Sequence, residues 1–152
     1  MKRLIGFLRK VSVVLWVGGL WTIGYLVAPL LFSSLSDNRP LAGTLAGTMF
    51  KGIGWVGISC GAFLLLQKLY SVKSAALKQS AFWIVLSMSI ITLILLFWIQ
   101  PVMAMLRSSG VPINMMGIPA FKSFAFWHGL SSTLYLIQSL LGLMLLFKDQ
   151  KA

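Results

Sequence analysis

Three stretches of this chain, 11–32, 79–106 and 123–147, each run for more than twenty residues without a single Asp, Glu, Lys or Arg. A helix needs about 20 mainly apolar residues to cross a hydrocarbon core of about 30 Å. The rest of the chain agrees with a membrane setting. Of 152 residues 59% are hydrophobic and 10% charged, against roughly a quarter charged in an ordinary soluble domain. That is too little polar surface to cover a globule in water.

A fourth run is shorter. Residues 52–67 are uncharged between Lys51 and Lys68. Pro40 suits the first turn of a helix, and residues 41–50 are small or apolar, so a long helix over 41–70 is expected, longer than the bilayer needs and projecting or tilting at its start. The reading is an all-α integral membrane protein: one domain over 1–152, a four-helix bundle with spans at about 11–32, 41–70, 80–102 and 119–147. Gln100-Pro101 is expected to kink or end the third span, because proline lacks the amide donor. Met103–Arg107 is then expected as a short re-entrant or interfacial helix. The N-terminal "MKRLIGFLRK" has the basic character of a signal peptide, but the apolar run behind it is too long for a signal core, so a retained first span is expected.

Charge sets the orientation. Thirteen Lys and Arg face two acids, Asp37 and Asp149. With four spans, Lys2, Arg3, Arg9, Lys10, Lys68, Lys73, Lys78, Lys148 and Lys151 fall on one side, and Arg39, Lys51, Arg107 and Lys122 on the other. The positive-inside rule therefore places both termini in the cytoplasm. Basic residues flanking apolar spans point to anionic lipid head groups, each contributing roughly 1 kcal/mol, and not to nucleic acid, which asks for a basic folded face with stacking aromatics.

Glycines four apart mark close helix contact in lipid. Gly43 and Gly47, then Gly57 and Gly61, show that spacing in helix two. Gly18 and Gly19 in helix one and Gly129 in helix four join them as expected packing positions, either within the bundle or in the seam of a homodimer.

No carboxylate lies within any span. That argues against proton relays and cation-selective rings and against paired-acid hydrolysis. Metalloprotease, phosphate-loop and nucleophile-elbow motifs are missing, so an enzyme is not expected, and no cofactor. The one cysteine, Cys60, has no partner for an intramolecular disulfide. The one histidine, His128, begins a stripe on helix four: His128, Ser131 or Ser132, Tyr135, Gln138, at helical spacing. Such a stripe turns inward in a membrane. It either forms a hydrogen-bonded seam with neighbouring helices, which is the expectation, or lines a ligand site. Lys51, expected near the outer interface, either snorkels or faces the same pocket as His128 and Lys122, with Arg107 as a further member. A third possibility is copper: thioethers and imidazole suit Cu(I), and Met103, Met105, Met115 and Met116 share the side of His128.

The run "VLWVGGLWTIGYLVAPLLF" at 14–32, "LAGTLAGTMF" at 41–50 and "FWHGLS" at 126–131 together resemble the small bacterial membrane proteins of domain of unknown function 4149, a family similar to the vertebrate transmembrane protein 205. The resemblance covers about residues 11–147. It implies a four-helix layout in a bacterial inner membrane and no particular activity. A looser likeness to the membrane domain of copper-resistance protein D rests on Trp16, Gly18 and Gly19. The histidine of that family falls here near Arg9, which is no ligand. A structural or accessory membrane role, with a membrane-protein partner or a second copy, is the leading functional expectation. Passage of a small solute or anion, or a lipid-binding pocket lined by helix four, is the alternative, and copper handling the third.

Overall fold

The structure is a computed structural model, describing residues 2–72, 77–108 and 123–149. Among these it is all helix, with no strand, and four helices are long and apolar enough to cross a membrane: Arg3–Ser34, Ser36–Ser71, Ser80–Arg107 and Phe124–Lys148. We call the four rods α1 (2–34), α2 (Arg39–Val72), α3 (80–108) and α4 (Phe124–Asp149). α2 packs on α1 and α3, and α4 on α3 and α1.

Local chemistry sets the ends. Asn38 accepts the amide of Leu41 at 3.2 Å on its Oδ1, capping α2 so that Arg39 and Pro40 form its first turn. Ser123 does the same for α4, its Oγ taking the Phe126 amide at 3.2 Å. Of the expected start of helix four, 119–122 lie outside the described residues, and the described helix begins at Phe124. α1 begins at Lys2, not at 11, because basic side chains are good helix formers and nothing in "MKRLIGFLRK" interrupts the turn.

The third span does not end at Pro101. α3 continues through it to Ser108, and Met103 is buried in the bundle, not lying at an interface. The wide turn Leu95–Ile99 explains this: the Gln100 amide bonds to Leu95 O, five residues back. Such a π turn re-spaces the carbonyls so that the proline ring is accommodated and its missing donor absorbed. α1 repeats the device. Thr22–Val27 is a π turn, Ala28 N–H bonds to Ile23 O, and Pro29 follows directly. The two wide turns lie in the same half of the bundle, away from the termini.

The other half holds the packed core. Val13, Trp16, Val17 and Leu20 of α1 recur at three and four residues and meet Cys60 and Leu64 of α2, Ile84, Val85 and Met88 of α3, and Leu145 of α4. Trp16 has no exposed surface. Its indole lies against Gly57 and Gly61: a Cβ at 57 would stand 2.5 Å from Trp16 Nε1, and one at 61 would stand 3.2 Å from the ring. The second glycine pair therefore seats a tryptophan between helices. Gly19 is close to Ile53, as a packing glycine should be. Gly18 and Gly129 meet no packing partner among the described residues, since a Cβ at either would have nothing of them within 4 Å. Both lie on exposed faces of their helices.

Candidate functional site

Beyond the Trp16 layer the four helices part around a cavity of about 1000 Å³. α1 contributes Leu20, Gly24, Tyr25, Ala28 and Pro29, so its π turn forms one wall. α3 contributes Thr92, Leu95, Leu96, Gln100 and Met103, its π turn forming another. α2 turns Gly43, Ala46, Gly47, Phe50, Ile53 and Gly54 to it. Those positions keep the three-and-four spacing of one helical face, and three glycines on that face leave room. The walls are mostly apolar; the polar groups concentrate on α4 and on two arginines.

The α4 stripe is half seam and half lining. At its deep end Tyr135 Oη donates to Leu20 O at 2.7 Å, just before the α1 π turn. The Tyr135 ring occupies the space beside Gly24 and meets Phe50 edge-on at 5.2 Å. Three residues on, Gln138 Nε2 donates to Thr92 Oγ1 at 2.7 Å, and Thr92 passes its own proton to Met88 O at 2.8 Å. Gln138 is 1% exposed and its Oε1 is buried without a hydrogen bond. Ser139, also fully buried, returns its hydroxyl to Tyr135 O. Toward the other end, His128, Ser131 and Ser132 line the cavity: Ser132 Oγ donates to His128 O at 2.9 Å within its own helix, and the His128 ring stacks on Phe124 at 5.9 Å with planes 10° apart. A purely filled seam with the neighbouring helices is thus not what forms. The partners are α1 and α3, and the outer half of the stripe borders open space.

Arg107 closes this row. Its guanidinium carbon lies 5.7 Å from the centre of the Phe124 ring, within cation–π range, and 3.5 Å from where a Gly43 Cβ would be. Gly43 and Gly47 therefore make space for an arginine instead of a helix backbone. Arg39, in the first turn of α2, lines the same region. Asp37, the acid nearest in sequence, is exposed and takes a hydrogen bond from Ser36. Among the described residues no carboxylate lines the cavity. The site is therefore electropositive at its charged end and apolar through its depth.

Sequence reasoning brought His128, Ser131, Tyr135 and Gln138 to one place, and there they stand. Lys51 is exposed and does not line the cavity. The second cation of the cavity is instead Arg39, which the charge count had treated only as a flanking residue. Of the methionines, Met103 lines the cavity with His128, Met105 is 62% exposed and does not, and Met115 and Met116 lie outside the described residues. No three His, Cys, Asp or Glu side chains converge among the described residues.

Residues 11–111 match the family model for a domain of unknown function, DUF4149, and the chain belongs to that family. No curated protein and no solved structure matches it.

Proposed function

For this DUF4149 protein we propose a binding role in the membrane: the cavity takes an anionic amphiphile, its head group held by Arg107 and Arg39 and its tail among the apolar walls. The observation that carries this is a cavity of about 1000 Å³ with two arginines and no lining carboxylate among the described residues. A site of that size suits a lipid-like molecule. A guanidinium presents paired donors that match phosphate or carboxylate geometry, and a low-dielectric wall strengthens the attraction. The seam at Tyr135 and Gln138 acts as the floor.

The reading is non-enzymatic, supported by the missing metalloprotease, phosphate-loop and nucleophile-elbow motifs in the sequence. It includes a bacterial inner-membrane location with both termini in the cytoplasm, supported by nine basic residues against four across the spans. The binding site would then open toward the outer leaflet. The likeness to transmembrane protein 205 belongs to the same proposal, on the LWVGG and APLLF residues of α1. A structural or accessory role keeps the seated Trp16 and the packing glycines as its support, but neither needs a cavity, so binding is the preferred reading.

The test is extraction of amphiphiles from protein purified in a neutral detergent, counted by mass spectrometry. Wild-type protein retains about one anionic amphiphile per chain, and Arg39→Gln/Arg107→Gln protein loses most of it. Equal retention by both, or nothing retained by either, would refute the assignment.

A further inference from the structure

At the opposite end of the bundle lies a second cavity of about 510 Å³. Every rod reaches it with a cation or a polar group. Arg9 comes from α1 and Lys68 from α2; Lys78 precedes α3, and Lys148 ends α4. Arg9 and Lys68 are half-buried, whereas Lys78 and Lys148 are exposed at the rim. Ser80 holds the Lys148 ammonium by a hydrogen bond and so ties the end of α4 to the start of α3. Gln67, Ser71 and Gln79 add neutral polar groups.

Helix dipoles do not account for this gathering. Each helix end carries about half a unit charge, positive at the N-terminus and negative at the C-terminus. In an up-and-down bundle this end carries two of each, so the partial charges cancel. The acid nearest in sequence is Asp149, beside Lys148. Among the described residues that line the cavity four are cations and none is a carboxylate. Like charges gathered around one hollow repel one another, and an anion bound among them lowers that repulsion.

We propose that this second cavity is a binding site for a phosphate group, separate from the amphiphile cavity and at the membrane surface that carries both termini. Arg9 and Lys68 form its floor, and Lys78 and Lys148 its rim. The shared chemistry is a phosphate mono- or diester; the sources are a lipid head group or free phosphate. Basic pockets between spans at a lipid surface are where anionic head groups are held.

The test uses full-length protein in neutral detergent with phosphatidylcholine, in an Arg39→Gln/Arg107→Gln background that removes the cations of the first cavity. Phosphatidylglycerol is titrated in one arm and inorganic phosphate in the other, with the thermal unfolding midpoint and native mass spectrometry as readouts. Arg9→Gln/Lys68→Gln is expected to weaken phosphatidylglycerol binding by about tenfold or more, as two close cations each contribute a several-fold factor. Arg3→Gln/Lys10→Gln removes the same charge from exposed residues of α1 that do not line the cavity, and is expected to change binding less than about threefold. Inorganic phosphate binding with the same dependence on Arg9 and Lys68 supports the site with a soluble source. Equal weakening by the two pairs, or no binding in either arm, overturns it. Should Arg9→Gln/Lys68→Gln fail to fold, Lys78→Gln/Lys148→Gln at the rim reads the same contrast.

Discussion

The two halves of this bundle use the same kinds of residue to opposite ends. Near the termini, glycines at 57 and 61 let the Trp16 indole fill the centre, and every helix contributes an apolar side chain to it. Toward the far end, glycines at 43, 47 and 54 face a hollow, and what comes nearest to the first two is the Arg107 side chain. A glycine pair four residues apart therefore does not by itself mean helix-on-helix contact. What differs is the partner opposite: a large rigid aromatic closes the space at 57 and 61, whereas the hollow that 43, 47 and 54 face is walled by a π turn on α1 and another on α3. The hydrogen-bonded layer of Tyr135 and Gln138 divides the two.

Substitutions should separate the halves sharply. The largest expected effect is Trp16→Ala, which removes the centre of the packed half and should lower unfolding stability in detergent by about 3–5 kcal/mol. Retention of wild-type stability would mean that Trp16 is not the centre of that layer. Next comes a matched pair. Gly57→Ala drives a methyl onto the indole and should cost about 1–3 kcal/mol as overpacking. Gly43→Ala meets the Arg107 guanidinium only at 3.5 Å and should be neutral or stabilising, since alanine exceeds glycine as a helix former by about 1 kcal/mol. Equal costs in thermal unfolding would erase the distinction between the halves.

Tyr135→Phe probes the layer between them. It keeps the ring beside Gly24 and Phe50 but removes the bond to Leu20 O, for an expected loss of about 1 kcal/mol. A loss as large as that of Trp16→Ala would show that the layer is part of the core instead of a floor. The smallest effect is expected at Lys51, which is outside the cavity: Lys51→Ala should leave amphiphile retention unchanged, while Arg107→Gln lowers it. A drop at Lys51 would return that residue to the site.

The spans were legible because charge is so costly in a bilayer that its absence over more than twenty residues has few other meanings. The inward turn of the α4 stripe was legible for a related reason, since Gln138 and Tyr135 need partners that lipid cannot give. Their actual partners were not. A carbonyl at Leu20 and a hydroxyl at Thr92 leave no mark in composition, and the choice between α2 and α3 depends on how the helices are arranged. The cavity was hidden more deeply, because it is a volume that no residue fills. Pro101 was readable as an interruption, yet it is absorbed by a π turn whose register is settled by the surrounding packing, and Pro29 follows another. Arg39 had one usable signal: it and Arg107 flank the spans on the side where the only acid is Asp37, so at least one of them lacks a carboxylate to pair with.

The contrast between the halves is tested most directly by thiol labelling in a Cys60→Ala background, with single cysteines at Ser131 and at Ser139. Ser131 lines the cavity, and Ser139, on the same helix, is fully buried. With a small methanethiosulfonate reagent in neutral detergent, Ser131→Cys should label at least about tenfold faster than Ser139→Cys, because local opening must precede reaction at a buried site. Dodecyl phosphate should slow Ser131→Cys and leave Ser139→Cys unchanged. Equal slow labelling at both positions, or a Ser131→Cys rate indifferent to dodecyl phosphate, would contradict an open cavity that binds an anionic amphiphile.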